Sequence, residues 1–155
     1  MQNLELNVFI DCPRRVVYDH IANPINMIGL QPHLTTIDVL KERKDENAVT
    51  LRPFYTLQTF RWGGFPVYRN RLDWIIHLTS PEEELEFHAR SRPNIYVIFK
   101  YSLTQDNDRS TRIKQTVDFV QVSKLLEKIV AGQANHTQRA VLSNLKVRLE
   151  KNCLH

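Results

Sequence analysis

Six histidines, two cysteines and a scatter of tyrosines and side-chain amides are the groups in this chain whose types could do chemistry. His20, His33, His77, His88, His136 and His155 span its whole length, and none has a partner at a spacing that builds a reaction centre. A nucleophilic serine would need a glycine-flanked turn, a zinc peptidase His-Glu-x-x-His on a helix, and a phosphate site a glycine-rich loop; none occurs. Histidines, cysteines and carboxylates do not cluster as metal ligation requires, so neither metal nor cofactor is expected. Cys12 and Cys153 lie near opposite ends without metal-ligand or redox spacing, and both are expected to be ordinary thiols. What remains is a set of polar groups among apolar neighbours: Tyr55, Asn70, Tyr101, Gln115, Gln133 and His136. In an apolar cavity such groups orient a small molecule. In a filled core they would be satisfied amides and hydroxyls reaching the surface.

The elements that must position them are legible from periodicity. From Gln121 to Lys151, apolar residues recur at three- and four-residue steps: Val122, Leu125, Leu126, Ile129 and Val130, then Ala140, Val141, Leu145 and Leu149. That spacing predicts one helix of roughly 45 Å. Its middle, Gly132-Gln133-Ala134-Asn135-His136-Thr137, carries small or polar side chains where a tightly packed helix would have leucine. A helix that roofs a cavity can leave them out.

Before that helix, Leu4, Leu6, Val8 and Ile10 alternate in a first strand. Pro13 starts a short helix, capped by Asp11 or Cys12, and a second helical piece covers Asn26 to Leu30. Six strands follow in hairpin succession: Thr36 to Arg43, Ala48 to Arg61, Val67 to Leu78, Leu85 to Ala89, Ile95 to Leu103 and Thr111 to Phe119. Asp45-Glu46-Asn47, Gly63-Gly64 and Ser80-Pro81-Glu82 supply turns. The expected architecture is α+β: a seven-stranded, curved antiparallel sheet gripping the long C-terminal helix, with two short helices after the first strand. Strand parity then gives a lining. Leu51 and Tyr55 come from the third strand, Asn70, Leu72 and Trp74 from the fourth, and Phe87 from the fifth. Val97, Phe99 and Tyr101 come from the sixth, Gln115 and Val117 from the seventh, and Gln133 and His136 from the helix.

Length, 155 residues, fits one domain covering 1–155, and 42% hydrophobic with 25% charged residues is ordinary for a soluble protein. No apolar run reaches the ~20 residues of a membrane span, and the N-terminus lacks a signal-like pattern, so a cytoplasmic protein without stable membrane insertion is expected. The net charge of +4 is interleaved, as in Lys41-Glu42-Arg43-Lys44-Asp45-Glu46, and excludes a nucleic-acid footprint. Trp62 and Phe65 flank the glycine pair close to Arg61, Arg69 and Arg71, and would gate a pocket, dock on a membrane or fold back onto the helix. No pattern speaks to oligomeric state.

The order of elements resembles the START-like helix-grip superfamily, in particular its polyketide cyclase/dehydrase branch. Val8-Phe9-Ile10-Asp11-Cys12-Pro13-Arg14-Arg15-Val16-Val17-Tyr18-Asp19 resembles the opening strand and proline-started helix. Leu34 to Leu40 resembles the second strand, and Asn135 to Lys146 the final helix. The resemblance implies binding or carriage of a hydrophobic small molecule, a lipid, polyketide-like or isoprenoid compound. It implies as an alternative a cyclase/aromatase or dehydratase working in the same cavity, and as a third a partner-binding domain with a secondary cavity. In the enzymatic case Arg71, Tyr101 or His136 would polarise a carbonyl or move a proton. Arg71 matches the family's cavity-facing arginine by position, whereas strict alternation puts it with Arg69 and Asp73 on the outer face.

Overall fold

The computed structural model describes residues 3–31, 34–62, 65–91, 94–125 and 127–153, without the side chains of 3, 35, 58–62 and 65–70. His33, His155 and the Gly63-Gly64 turn lie outside the described residues, as do the side chains of Asn70, Trp62 and Phe65. The chain runs β1 (Asn3–Ile10), α1 (Arg14–Ile21), a 3₁₀ turn (Pro24–Met27), β2 (Leu34–Val39), β3 (Arg43–Lys44), β4 (Thr50–Trp62), β5 (Phe65–Ser80), β6 (Glu84–Ser91), β7 (Ile95–Asn107), β8 (Ser110–Gln121) and α2 (Glu127–Asn152). All strands pair antiparallel in one open sheet ordered β1-β8-β7-β6-β5-β4-β2, with β3 also on β4. The fold is thus α+β, with eight strands where seven were expected. The additional strand comes from splitting Thr36 to Arg43. Pro53, opposite the break, accepts from Leu40 N–H but has no N–H to return, so the ladder lapses until Arg43 pairs with Leu51.

Two short-helix expectations need correction. Pro13 is the cap residue of α1, not its first helical residue, and no side chain caps it. Asp11 instead donates its backbone N–H to Glu150 Oε2 at 2.9 Å, fastening the end of β1 to α2. The second piece lies at Pro24–Met27, where Asn23 Oδ1 accepts from Ile25 N–H and Pro24 needs no donor. Gly29 leaves it with φ of 85°.

The long helix begins later than periodicity predicts. β8 continues to Gln121, opposite Tyr96, and residues 122–125 form a connection. Leu125 is 87% and Ile129 57% exposed, so the N-terminal half of the expected stripe is not core. The buried face of α2 is Gln138, Val141, Leu142, Leu145 and Leu149, against Val17, Ile113 and Val117 in one cluster. Ahead of Gln138 the helix hangs over a cavity, and its apolar residues Val130, Ala131 and Ala134 are only partly buried against the core.

Arg148 ties α2 to the turn beneath it. Its guanidinium donates to the carbonyls of Asn26 and Ile28, each at 2.7 Å. Cys12 and Cys153, expected as thiols, form a disulfide with Cα atoms 5.6 Å apart. Sequence separation hid the pair: β1 and the end of α2 become neighbours only when the helix crosses the sheet. No helix among the described residues is long and apolar enough to cross a membrane.

Candidate functional site

Between the sheet and α2 lies a cavity of about 440 Å³, within the range of small-molecule sites. Its roof is α2 from Val130 to Gln138, the small and polar stretch of the helix. Its floor comes from β5, β6 and β7, whose inward residues Leu72, Trp74, Ala89, Val97 and Phe99 alternate with outward ones. Gln31, at the end of the loop after the 3₁₀ turn, closes one side.

An aromatic cluster stiffens the floor. Trp74 stacks on Phe54 with centroids 5.8 Å apart and meets Phe87 edge-on at 6.2 Å. Its indole N–H donates to Thr56 Oγ1 at 3.0 Å, so it is not available inside the cavity. A second space, of about 30 Å³, lies under α1 and the 3₁₀ turn and shares Trp74, Phe99 and Gln138 with the first. It has room for a water molecule or two, not an organic ligand.

Of the residues singled out from sequence, Leu72, Trp74, Val97, Phe99, Gln133 and His136 line the large cavity. Phe87 and Tyr101 line the small one. Val117 and Gln115 are fully buried and line neither. Tyr101 donates from its hydroxyl to Gln138 Oε1 at 3.4 Å, and Gln115 Nε2 donates to the same oxygen at 2.7 Å. Burial pushes the Tyr101 hydroxyl far above the ordinary tyrosine pKa, so it serves as a donor and not as a base. His136 is exposed on the cavity side of α2.

Leu51 and Tyr55 are corrections. The β4–β5 register is unbroken from Thr50↔Leu78 to Phe60↔Tyr68, which puts Phe54 and Thr56 on the face of Trp74 and Leu72. Leu51 and Tyr55 therefore lie on the opposite face, because a one-residue slip in parity moves every side chain across the sheet. Leu51 imitates a core residue because it is buried there, opposite His77 and Arg43.

Arg71 follows the same register. It is 57% exposed, pairs with Asp73 Oδ1 at 3.1 Å, and lies over the Tyr55 ring at 4.1 Å. No register shift turns it inward, so the expectation of a cavity-facing arginine fails on geometry.

Gln31 and Gln138 were missed. Gln138 sits at helical spacing between Ala134 and Val141 and Leu142, and the stripe itself could have revealed it. Gln31 lies between elements, where no periodicity applies.

No family model matches the chain, and no curated protein matches it. Solved structures do. The aromatase/cyclase Zhui from Streptomyces sp. R1128 superposes with a TM-score of 0.77 at 13% identity, over 97% of this chain and 94% of that one. A START superfamily protein from Mycobacterium smegmatis gives 0.71 at 11% identity, over 96% and 97%. The di-domain ARO/CYC BexL of the BE-7585A biosynthetic pathway gives 0.63 at 15% identity, over 96% of this chain and 50% of that one. The chain has the START-like helix-grip fold that includes polyketide aromatase/cyclases.

Proposed function

We propose that the protein binds or carries a hydrophobic small molecule, a lipid, polyketide-like or isoprenoid compound, in the cavity beneath α2. The observation that carries this reading is the coincidence of an apolar, aromatic floor with a helix segment whose side chains are small or polar where packing would call for leucine. A helix glycine and a run of polar residues over 440 Å³ of unfilled space lower packing density, which a fold maintained for stability alone would not favour. Native mass spectrometry of the freshly purified protein is expected to show an apolar mass that leaves on mild activation. Absence of any such mass, together with no saturable uptake of naphthalene in equilibrium dialysis, would sink the reading.

A second reading, ring closure or dehydration of a poly-β-ketone, is favoured by His136 on the cavity wall and by the likeness to an aromatase/cyclase. In it His136 moves the proton and Tyr101 acts only as a fixed donor behind Gln138. Arg71 has no role in it, so turnover lost in His136→Ala and kept in Arg71→Ala is the pattern that would support it. Turnover by neither the parent chain nor the variants excludes it. The compartment belongs with these readings. A cytoplasmic protein would meet a reducing environment, in which the Cys12–Cys153 bond would be held as two thiols side by side.

A further inference from the structure

We propose that Gln31 and Gln138 form a polar anchor for a hydroxyl group, so that the cavity takes hydroxylated apolar molecules in preference to plain hydrocarbons. The inference rests on the reading of the cavity as a ligand site and adds the chemistry of what it selects.

Gln31 is 8% exposed and lines the cavity, and its Oε1 is buried without a hydrogen-bond partner. An orphaned buried acceptor is costly, and native proteins pair nearly all of them. Gln138, 5% exposed, lines the same cavity from the roof. Its Oε1 already accepts from Gln115 Nε2 and Tyr101 Oη, which leaves its amide nitrogen as the group that can offer a bond elsewhere. Gln115 holds this orientation from behind, and Tyr101 cannot exchange roles by ionising.

One amide thus lacks a donor and the other has donors to give. A hydroxyl supplies a hydrogen to the first and a lone pair to the second. A ketone or ether serves only Gln138, and a hydrocarbon serves neither. On the rest of the floor the Trp74 N–H is held by Thr56, and Leu72, Ala89, Val97 and Phe99 are apolar, which leaves the Ser91 hydroxyl as the other polar side-chain group there. Gly132, Gln133 and His136 are exposed whereas Gln138 is buried, so the roof residue of the anchor lies at the inner end of the cavity. The hydroxyl enters first.

Equilibrium dialysis of the intact chain with naphthalene, 2-naphthol and 2-methoxynaphthalene tests this, because the three share one apolar body and differ in hydrogen bonding. 2-Naphthol is expected to bind about tenfold more tightly than the other two. Gln31→Met and Gln138→Met should each bring 2-naphthol to within roughly twofold of naphthalene, both measured on the same variant. Equal retention of 2-naphthol and naphthalene by the parent chain overturns the anchor but leaves the cavity as a binding site. Equal retention of 2-naphthol and 2-methoxynaphthalene also overturns it, a comparison that holds even if a variant does not fold. A preference that persists in both variants removes the assignment to these two residues. If none of the three is retained, the cavity is not a ligand site and the anchor falls with it.

Discussion

Cys12, at the entrance to α1, is covalently bonded to Cys153, at the end of α2, across a sequence separation of 141 residues. The bond closes nearly the whole chain into one loop, the geometry in which a crosslink most restricts the unfolded state. Loops of about 100 residues are expected to gain ~4.7 kcal/mol on entropic grounds, and measured values run about 2–5 kcal/mol. Cys153→Ser, or a reductant, should therefore lower the denaturation midpoint by an amount equivalent to about 2–5 kcal/mol. A midpoint that dithiothreitol does not move would show that the bond contributes nothing in solution.

Two glycines should respond to the same substitution with opposite signs. A Cβ at Gly132 meets nothing within 4 Å, so Gly132→Ala should stabilise by about 0.8–1 kcal/mol through helix propensity. Gly29 has φ of +85°, and a Cβ there would come within 2.6 Å of Arg148 Nη2, the group that holds the Ile28 carbonyl. Gly29→Ala should cost about 1–2 kcal/mol from backbone conformation, with further loss if Arg148 lets go. Thermal melts of the pair check both signs.

Ala134 is half-buried on the cavity side of α2, between the exposed Gln133 and the half-buried Asn135. Ala134→Leu should fill empty space and stabilise by about 0.5–2 kcal/mol, as cavity filling commonly does. The same change should weaken naphthalene uptake. A lower melting temperature with unchanged uptake would mean that the space under Ala134 is already occupied by protein.

Acid should destabilise the fold in the histidine range. Burial, then the Arg148 cation, lowers the pKa of His20 below its ordinary 6.5. Burial, then His88, does the same to His77, against smaller opposing effects of Glu86 and Asp45. Below 6.5 the unfolded chain takes up protons that the folded chain still refuses, so stability falls with falling pH until the folded imidazoles titrate too. The melting temperature is expected to drop between pH 7.5 and 5.5, and His20→Gln with His77→Gln to flatten that slope. An unchanged slope in the double variant would place the pH dependence elsewhere.

The α+β architecture, the order of its elements and the polar gap in the last helix were all legible in the residues. Period-two alternation and period-3.6 stripes record which side of a local element meets apolar neighbours. Most of the floor, including Leu72, Trp74, Val97 and Phe99, followed from that parity. Parity misled at Leu51 and Tyr55, because Leu51 is buried on the outer face, where β4 pairs with β3, and leaves the same mark as a core residue. The early helix start failed for a related reason: Leu125 and Ile129 have the right spacing, but no surface stands opposite to bury them, and Val122 packs against the core from the connection ahead of the helix. Tertiary structure alone brought Cys12 to Cys153, laid the outward-facing Arg71 over the Tyr55 ring, and set Gln31 and Gln138 on the walls of one cavity. Those relationships join residues far apart in the chain, and a pattern that repeats every two or every 3.6 residues carries no record of them.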